Sequence, residues 1–182
     1  MRDRRGFTLL EIIIVLIIIS IVLVIATTNF LLWLNHYSAV DFQREFLSQF
    51  SAARTRSTAS NRQHRLLIDQ SAGVETVVLQ RGDSGTGSTD TGWVDIPPMV
   101  QGRRGAAIEN IAYDNTPSTT SNLAFIFNPD GQVLIQDNTA STASAVPLTQ
   151  ANIHLSADSV TDRATIRVFG WTSKARLLNG WQ

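Results

Sequence analysis

Hydrophobic positions follow three different rhythms along the chain. From Phe7 to Leu34, 22 of 28 residues are apolar, and the 23 from Ile12 to Leu34 include no charge. At about 1.5 Å rise per residue such a helix spans roughly 35 Å, enough to cross a bilayer. From His36 to Ser60 there is neither Gly nor Pro, and Phe42, Phe46, Phe50 and Ala53 recur at helical spacing. That pattern predicts that the helix continues as an amphipathic one, with Arg44, Arg54 and Arg56 on its other faces. Beyond it the rhythm shortens towards two, in segments rich in β-branched residues. Strands are predicted at Arg65 to Asp69, Val74 to Arg81, Trp93 to Ile96, Ile108 to Tyr113, Leu123 to Asn128, Gln132 to Gln136, Asn152 to Ser156, Ala164 to Phe169 and Lys174 to Leu178.

The string Asn128-Pro129-Asp130-Gly131 predicts a hairpin turn, because Pro fixes φ and Gly accepts the left-handed position. Gly82 to Gly92 and Asp137 to Ser144 are built of Gly, Ser, Thr, Ala and Asp and read as loops. A helical stripe needs a partner surface, so the expected fold is α+β, with the helix lying on antiparallel sheet. At 182 residues, the chain holds one domain plus an appendage. Outside the apolar run, 56 of the 148 residues from Asn35 to Gln182 are hydrophobic, an ordinary globular value. Fifteen basic and fifteen acidic residues balance, so any polyanion partner must be met by a local patch rather than by net charge. The absence of cysteine excludes disulfides, thiolate metal sites and cysteine nucleophiles.

Charge around the apolar run sets its direction. Arg2, Arg4 and Arg5 precede it and no basic residue follows until Arg44, which predicts a single pass with a cytoplasmic N-terminus. The run is longer than the apolar region of a cleaved secretory signal, and Ala26-Thr27-Thr28 is a poor cleavage site. Glu11 is the exception: a carboxylate abutting the membrane needs a partner or a place at the membrane face. The string Arg4-Arg5-Gly6-Phe7-Thr8-Leu9-Leu10-Glu11, followed by Ile12-Ile13-Ile14-Val15-Leu16, resembles the leader and first helix of type IV pilins and pseudopilins. The resemblance implies that a membrane prepilin peptidase cuts between Gly6 and Phe7, and that the new N-terminal Phe7 is methylated. It also implies that Glu11 neutralises the Phe7 ammonium of a neighbouring subunit during assembly, since two buried charges cost less paired than apart.

The body is similar to one branch of that family, the H-type minor pseudopilins of type II secretion together with the FimT-like minor pilins. The similarity rests on Phe46-Leu47-Ser48-Gln49-Phe50-Ser51-Ala52-Ala53-Arg54, on Gly92-Trp93-Val94, and on Phe127-Asn128-Pro129-Asp130-Gly131. It implies a long N-terminal helix packed on two small antiparallel sheets. The expected organisation is a leader at 1–6, a membrane and filament helix at 7–34, and a periplasmic body at 35–182, helical over 35–60 and β-rich over 65–182.

Other motifs carry less chemistry. Gly82-Asp83-Ser84-Gly85 matches the string around a trypsin-like nucleophile, but His36, His64 and His154 lack a recognisable partner context and the string sits in a polar loop. The same loop lacks the Lys that a phosphate-binding loop needs, since Lys174 is the only lysine. Asp83, Asp90 and Asp95 are hard oxygen donors, yet their spacing matches no calcium loop. No catalytic, metal or cofactor site is therefore expected.

Two basic stretches remain. One holds Arg54, Arg56, Arg62 and Arg65, with no acid between Phe46 and Ile68; the other holds Arg163, Arg167, Lys174 and Arg176, with no acid after Asp162. On a strand, Arg163, Thr165, Arg167 and Phe169 would share the outer face while Ala164, Ile166 and Val168 face the core, with Trp171 and Trp181 flanking. Cations interleaved with aromatics suit DNA. FimT-like pilins of natural transformation hold DNA through a C-terminal Gly-Arg-x-Arg motif; Ser173-Lys174-Ala175-Arg176 occupies that place here without its glycine and first arginine. The expected function is a minor pilin or pseudopilin with prepilin peptidase, other pilin subunits, the bacterial inner membrane and secreted cargo as partners. The alternative is DNA capture through Arg163, Arg167, Lys174 and Arg176.

Overall fold

A computed structural model describes residues 8–70, 75–88, 92–102, 106–114, 116–118, 122–137, 145–157 and 162–180. The chain divides into two compact units, Met1–Asn35 and His36–Gln182. One helix, α1, runs Leu9–Ser60 and contributes to both.

In the first unit α1 is almost wholly apolar, and over Leu9–Thr27 it is long and apolar enough to cross a membrane. None of that stretch is buried by the rest of the chain. Thr8 caps its start: the Glu11 N–H lies 3.3 Å from Thr8 Oγ1, satisfying one of the donors that a helix N-terminus leaves open. Ser20 and Thr27 donate their hydroxyls back to the carbonyls of Leu16 and Leu23, so these polar side chains add no unmet donor to the apolar stretch.

In the second unit the predicted stripe is the core. Phe42, Phe46, Phe50 and Ala53 are all buried, and α1 ends where Asn61 adopts a left-handed φ of 51°. Eleven strands follow among the described residues. β1 (His64–Asp69), β2 (Thr76–Arg81), β3 (Val94–Gln101), β6 (Asn122–Phe127), β7 (Val133–Asp137) and β8 (Val146–Pro147) form an antiparallel sheet in the order β3-β2-β1-β6-β7-β8. β4 (Ala106–Tyr113), β5 (Thr116–Ser118), β9 (Gln150–Ala157), β10 (Ala164–Phe169) and β11 (Lys174–Asn179) form the second, in the order β11-β10-β9-β4-β5. Both sheets and the helix stripe share one hydrophobic core. Phe50 sits at its centre, edge-on to Phe125 at 5.5 Å and Phe127 at 6.0 Å between ring centroids.

The hairpin at Asn128-Pro129-Asp130-Gly131 forms as the turn chemistry predicts, with Gly131 at φ 92° and its N–H donating to Asn128 O. β3 extends past the predicted Ile96 through Pro97 and Pro98. It can do so because β3 is an edge strand and its pairing with β2 skips a register step there, so no ladder bond needs the missing N–H groups. β5 and β8 escape sequence reading because three and two residues cannot show an alternation. Residues 138–144 of the Ser/Thr/Ala-rich loop lie outside the described residues.

The described part of the Gly82 to Gly92 stretch is a loop as expected, and it is tied down by backbone and side-chain bonds. Gly82 N donates to Gln63 O, Gln63 N donates to Ser84 O, and Ser88 N donates to Gln63 Oε1. Gln63 in turn donates to Asn128 Oδ1 at 2.7 Å, so one buried glutamine ties the loop to the β6–β7 hairpin. Polar residues set the loop's composition, and buried bonds to Gln63 set its shape.

Candidate functional site

Two regions can carry function, the apolar start of α1 and a basic edge of the second sheet. At the first, Gly6 and Phe7 lie outside the described residues. Glu11 occupies the first turn of α1, exposed, where a carboxylate is favoured by the helix dipole. Thr8 and Glu11 stand at capping-box spacing, and the bond made there runs from the Glu11 backbone N–H to Thr8 Oγ1.

The basic edge is built by the β10–β11 hairpin. Antiparallel register sets Arg167 directly opposite Arg176 and Phe169 opposite Lys174, so Arg167, Lys174 and Arg176 share the outer face of the sheet. Ala164, Ile166 and Val168 alternate inward and are buried, as the strand pattern predicts. Arg167 is steadied from the other side, its Nε donating to Asn152 Oδ1 at 3.0 Å. Arg163 lies just before β10 and is half-buried; its carbonyl accepts from Gly180 N. Lys174 and Arg176 are exposed, and Trp171, at the hairpin tip, is 70% exposed. Trp181 lies outside the described residues.

One expectation for this face is corrected. Thr165 is fully buried rather than exposed beside the arginines, because its hydroxyl donates to Gly180 O and accepts from His154 Nδ1, and these neighbours close over it. That bond assigns the His154 proton to Nδ1, since Thr165 spends its own on Gly180. Burial holds the His154 pKa below the usual histidine value.

The earlier basic stretch does not gather into one patch. Arg65 is buried on β1, its Nε bonded to Gln80 Oε1 and its guanidinium 4.3 Å from the Trp93 ring centroid. Arg62 donates to Asp83 O. Arg54 alone faces the C-terminal strip: with Ser51 and Thr55 it forms one wall of a groove whose other wall is Ser173, Lys174 and Arg176. Sequence reasoning assigned Arg54 and Ser173 to separate stretches, and no local signal joins them; only the packing of α1 beside β11 does.

The remaining motifs take structural places. Ser84 donates its hydroxyl to Thr86 O. His36 pairs with Asp162 at 2.7 Å, and His64 Nδ1 bonds to Arg62 O at 3.1 Å. Asp95 accepts from Gln80, Asp90 lies outside the described residues, and among the described residues no three His, Cys, Asp or Glu come together as a metal site would require. The His36–Asp162 pair joins residues too distant in the chain for spacing rules to find.

An apolar N-terminal helix followed by antiparallel sheets is a pilin-like α+β arrangement. Residues 1–27 match the family model described as the prokaryotic N-terminal methylation motif, which supports a type IV pilin-like protein. That motif implies processing by prepilin peptidase and assembly with other pilin subunits, and the apolar helix fits membrane anchoring. No curated protein and no solved structure matches the chain.

Proposed function

We propose that the chain is a minor pilin or pseudopilin, a structural subunit of a type II secretion pseudopilus or a type IV pilus, with the secretion machine and its H-type subunit as the first assignment. The reading rests on one coincidence: the methylation motif over residues 1–27 overlaps a helical stretch, Leu9–Thr27, that the chain itself leaves unburied. Such a surface is stable only in lipid or against equivalent helices. In this reading residues 1–6 are removed between Gly6 and Phe7, Phe7 is N-methylated, and the body stays on the periplasmic side until the helix enters a filament. Glu11 then neutralises the amino terminus of a neighbouring Phe7, and the body presents its faces to other subunits or secreted cargo. Intact-mass measurement of membrane-extracted protein tests it. Wild type is expected at the mass of methylated Phe7–Gln182 and Gly6→Ala at the unprocessed mass; identical masses would sink the leader assignment.

A second reading, DNA capture in natural transformation by a FimT-like minor pilin, is favoured by the apposition of Arg167 and Arg176 beside the exposed Trp171. Phosphate contacts release counterions, so this reading requires duplex DNA binding that falls steeply with salt. It also requires that binding vanish when Arg163, Arg167, Lys174 and Arg176 are replaced by Ala. Binding that is absent at low salt leaves those cations as subunit contacts.

A further inference from the structure

We propose that the groove between α1 and β11 is a binding site for a terminal phosphate group, an inference independent of the filament reading. Its volume is about 240 Å³, ample for such a group. Arg54 projects from the helix wall and Lys174 and Arg176 from the strand wall, with no carboxylate in the lining. Arg167 adds a fourth cation directly across β10–β11 from Arg176. Cations gathered from three elements repel one another, and an anion between them turns that repulsion into attraction.

Ser173 points to an enclosed ligand group rather than a passing surface charge. Its residue is only 3% exposed, and its Oγ is buried with no hydrogen-bond partner among the described residues. Buried hydroxyls are normally bonded, and an unmet one needs a reason. Its backbone sits in the left-handed region at φ 48°, which glycine fills at lower cost, so the serine at this turn is not explained by backbone geometry. The hydroxyls of Ser51 and Thr55 already donate to Leu47 O and Ser51 O of their own helix. The donors left for a ligand are therefore Ser173 and the three cations. A phosphate monoester, with its unsubstituted oxygens, can bond the Ser173 hydroxyl once rotation about χ1 turns that covered Oγ to the groove, while its remaining oxygens engage Arg54, Lys174 and Arg176. A diester carries substituents on two sides and is held at the rim, away from Ser173.

Calorimetric titration of the full chain in detergent micelles, at fixed ionic strength in chloride, tests the site with inorganic phosphate, methyl phosphate and dimethyl phosphate. Inorganic and methyl phosphate are expected to bind at one per chain, and dimethyl phosphate about tenfold or more weaker, the factor that one lost charge-assisted bond produces. Arg54→Gln and Ser173→Gly should each weaken methyl phosphate by about tenfold or more. Ser173→Gly keeps the left-handed backbone, so it reports on the hydroxyl even if Arg54→Gln disturbs folding. Arg62→Gln, outside the groove, should change nothing. The proposal is overturned by absence of saturable binding, by dimethyl phosphate binding as well as methyl phosphate, or by Ser173→Gly leaving affinity unchanged.

Discussion

Arg167 on β10 and Arg176 on β11 stand directly opposite each other across the strand pair, two positive charges in cross-strand register. Like charges so placed cost stability, and an opposite-charge pair contributes about 0.2–1 kcal/mol relative to alanines. Arg176→Glu should therefore raise the stability of the body by about 1 kcal/mol at low salt, with the gain shrinking as salt screens it. Denaturant unfolding of wild type and variant at two ionic strengths measures this. An unchanged or lower midpoint would mean that the two guanidinium groups turn apart and exert no repulsion. A gain would mark Arg176 as a residue whose place is set by something other than folding.

Much of this architecture is legible in the chain because its signals are local and periodic. The Phe42, Phe46, Phe50 and Ala53 stripe announces a buried helix face, and Ala164, Ile166 and Val168 announce a half-buried strand. Asn128-Pro129-Asp130-Gly131 names its own turn. What escapes is whatever depends on packing between distant segments. Arg65 reads as one of four surface cations, but the Trp93 ring and Gln80 enclose it. Thr165 reads as outward-facing by alternation, but Gly180 and His154 bury it. The groove of Arg54 and Ser173 exists only because α1 lies beside an edge strand late in the chain.

Two roles proposed for Glu11, support of the helix start at capping-box spacing with Thr8 and neutralisation of a neighbour's amino terminus, can be told apart by substitution. Glutamine keeps the capacity of this position to support the helix start, whereas alanine removes it; neither carries charge. If Glu11 neutralises a neighbouring amino terminus, losing its charge leaves a buried ammonium unpaired at a cost of about 3 kcal/mol or more. Glu11→Gln and Glu11→Ala should then both insert in the membrane yet enter filaments roughly a hundredfold less than wild type. Quantitative blotting of membrane and sheared-filament fractions reads the outcome. Normal assembly of the Gln variant would assign Glu11 to the helix cap alone.

Phe50 joins the helix to the first sheet through Phe125 and Phe127, with Phe46 of the same helix packed beside it at 5.3 Å. Truncating a fully buried phenylalanine costs about 3–5 kcal/mol, a large share of the roughly 5–15 kcal/mol that holds a typical domain together. Phe50→Ala should thus lower the unfolding midpoint of the body strongly. Tyr37→Ala, on the same helix but 57% exposed, should leave it nearly unchanged. Tryptophan fluorescence during denaturant unfolding follows both, and equal effects would contradict the placement of the core on this stripe.

Two histidines should make the body sensitive to mild acid. Burial chiefly holds the His64 pKa below its ordinary 6.5, and Arg56 and Arg81 push the same way, while the bond to Arg62 O opposes them. His154 is lowered by burial as well. A histidine with a lowered folded pKa takes up its proton more readily in the unfolded chain, so the folded state loses ground as pH falls. Stability should be full above about pH 7, decline as pH drops through the unfolded value near 6.5, and level off below the lowered folded values. His36→Asn provides the background, removing the histidine paired with Asp162. Adding His64→Gln and His154→Gln to that background should flatten the stability profile between about pH 7.5 and 5.5. A profile as steep as before would place the acid sensitivity in other groups.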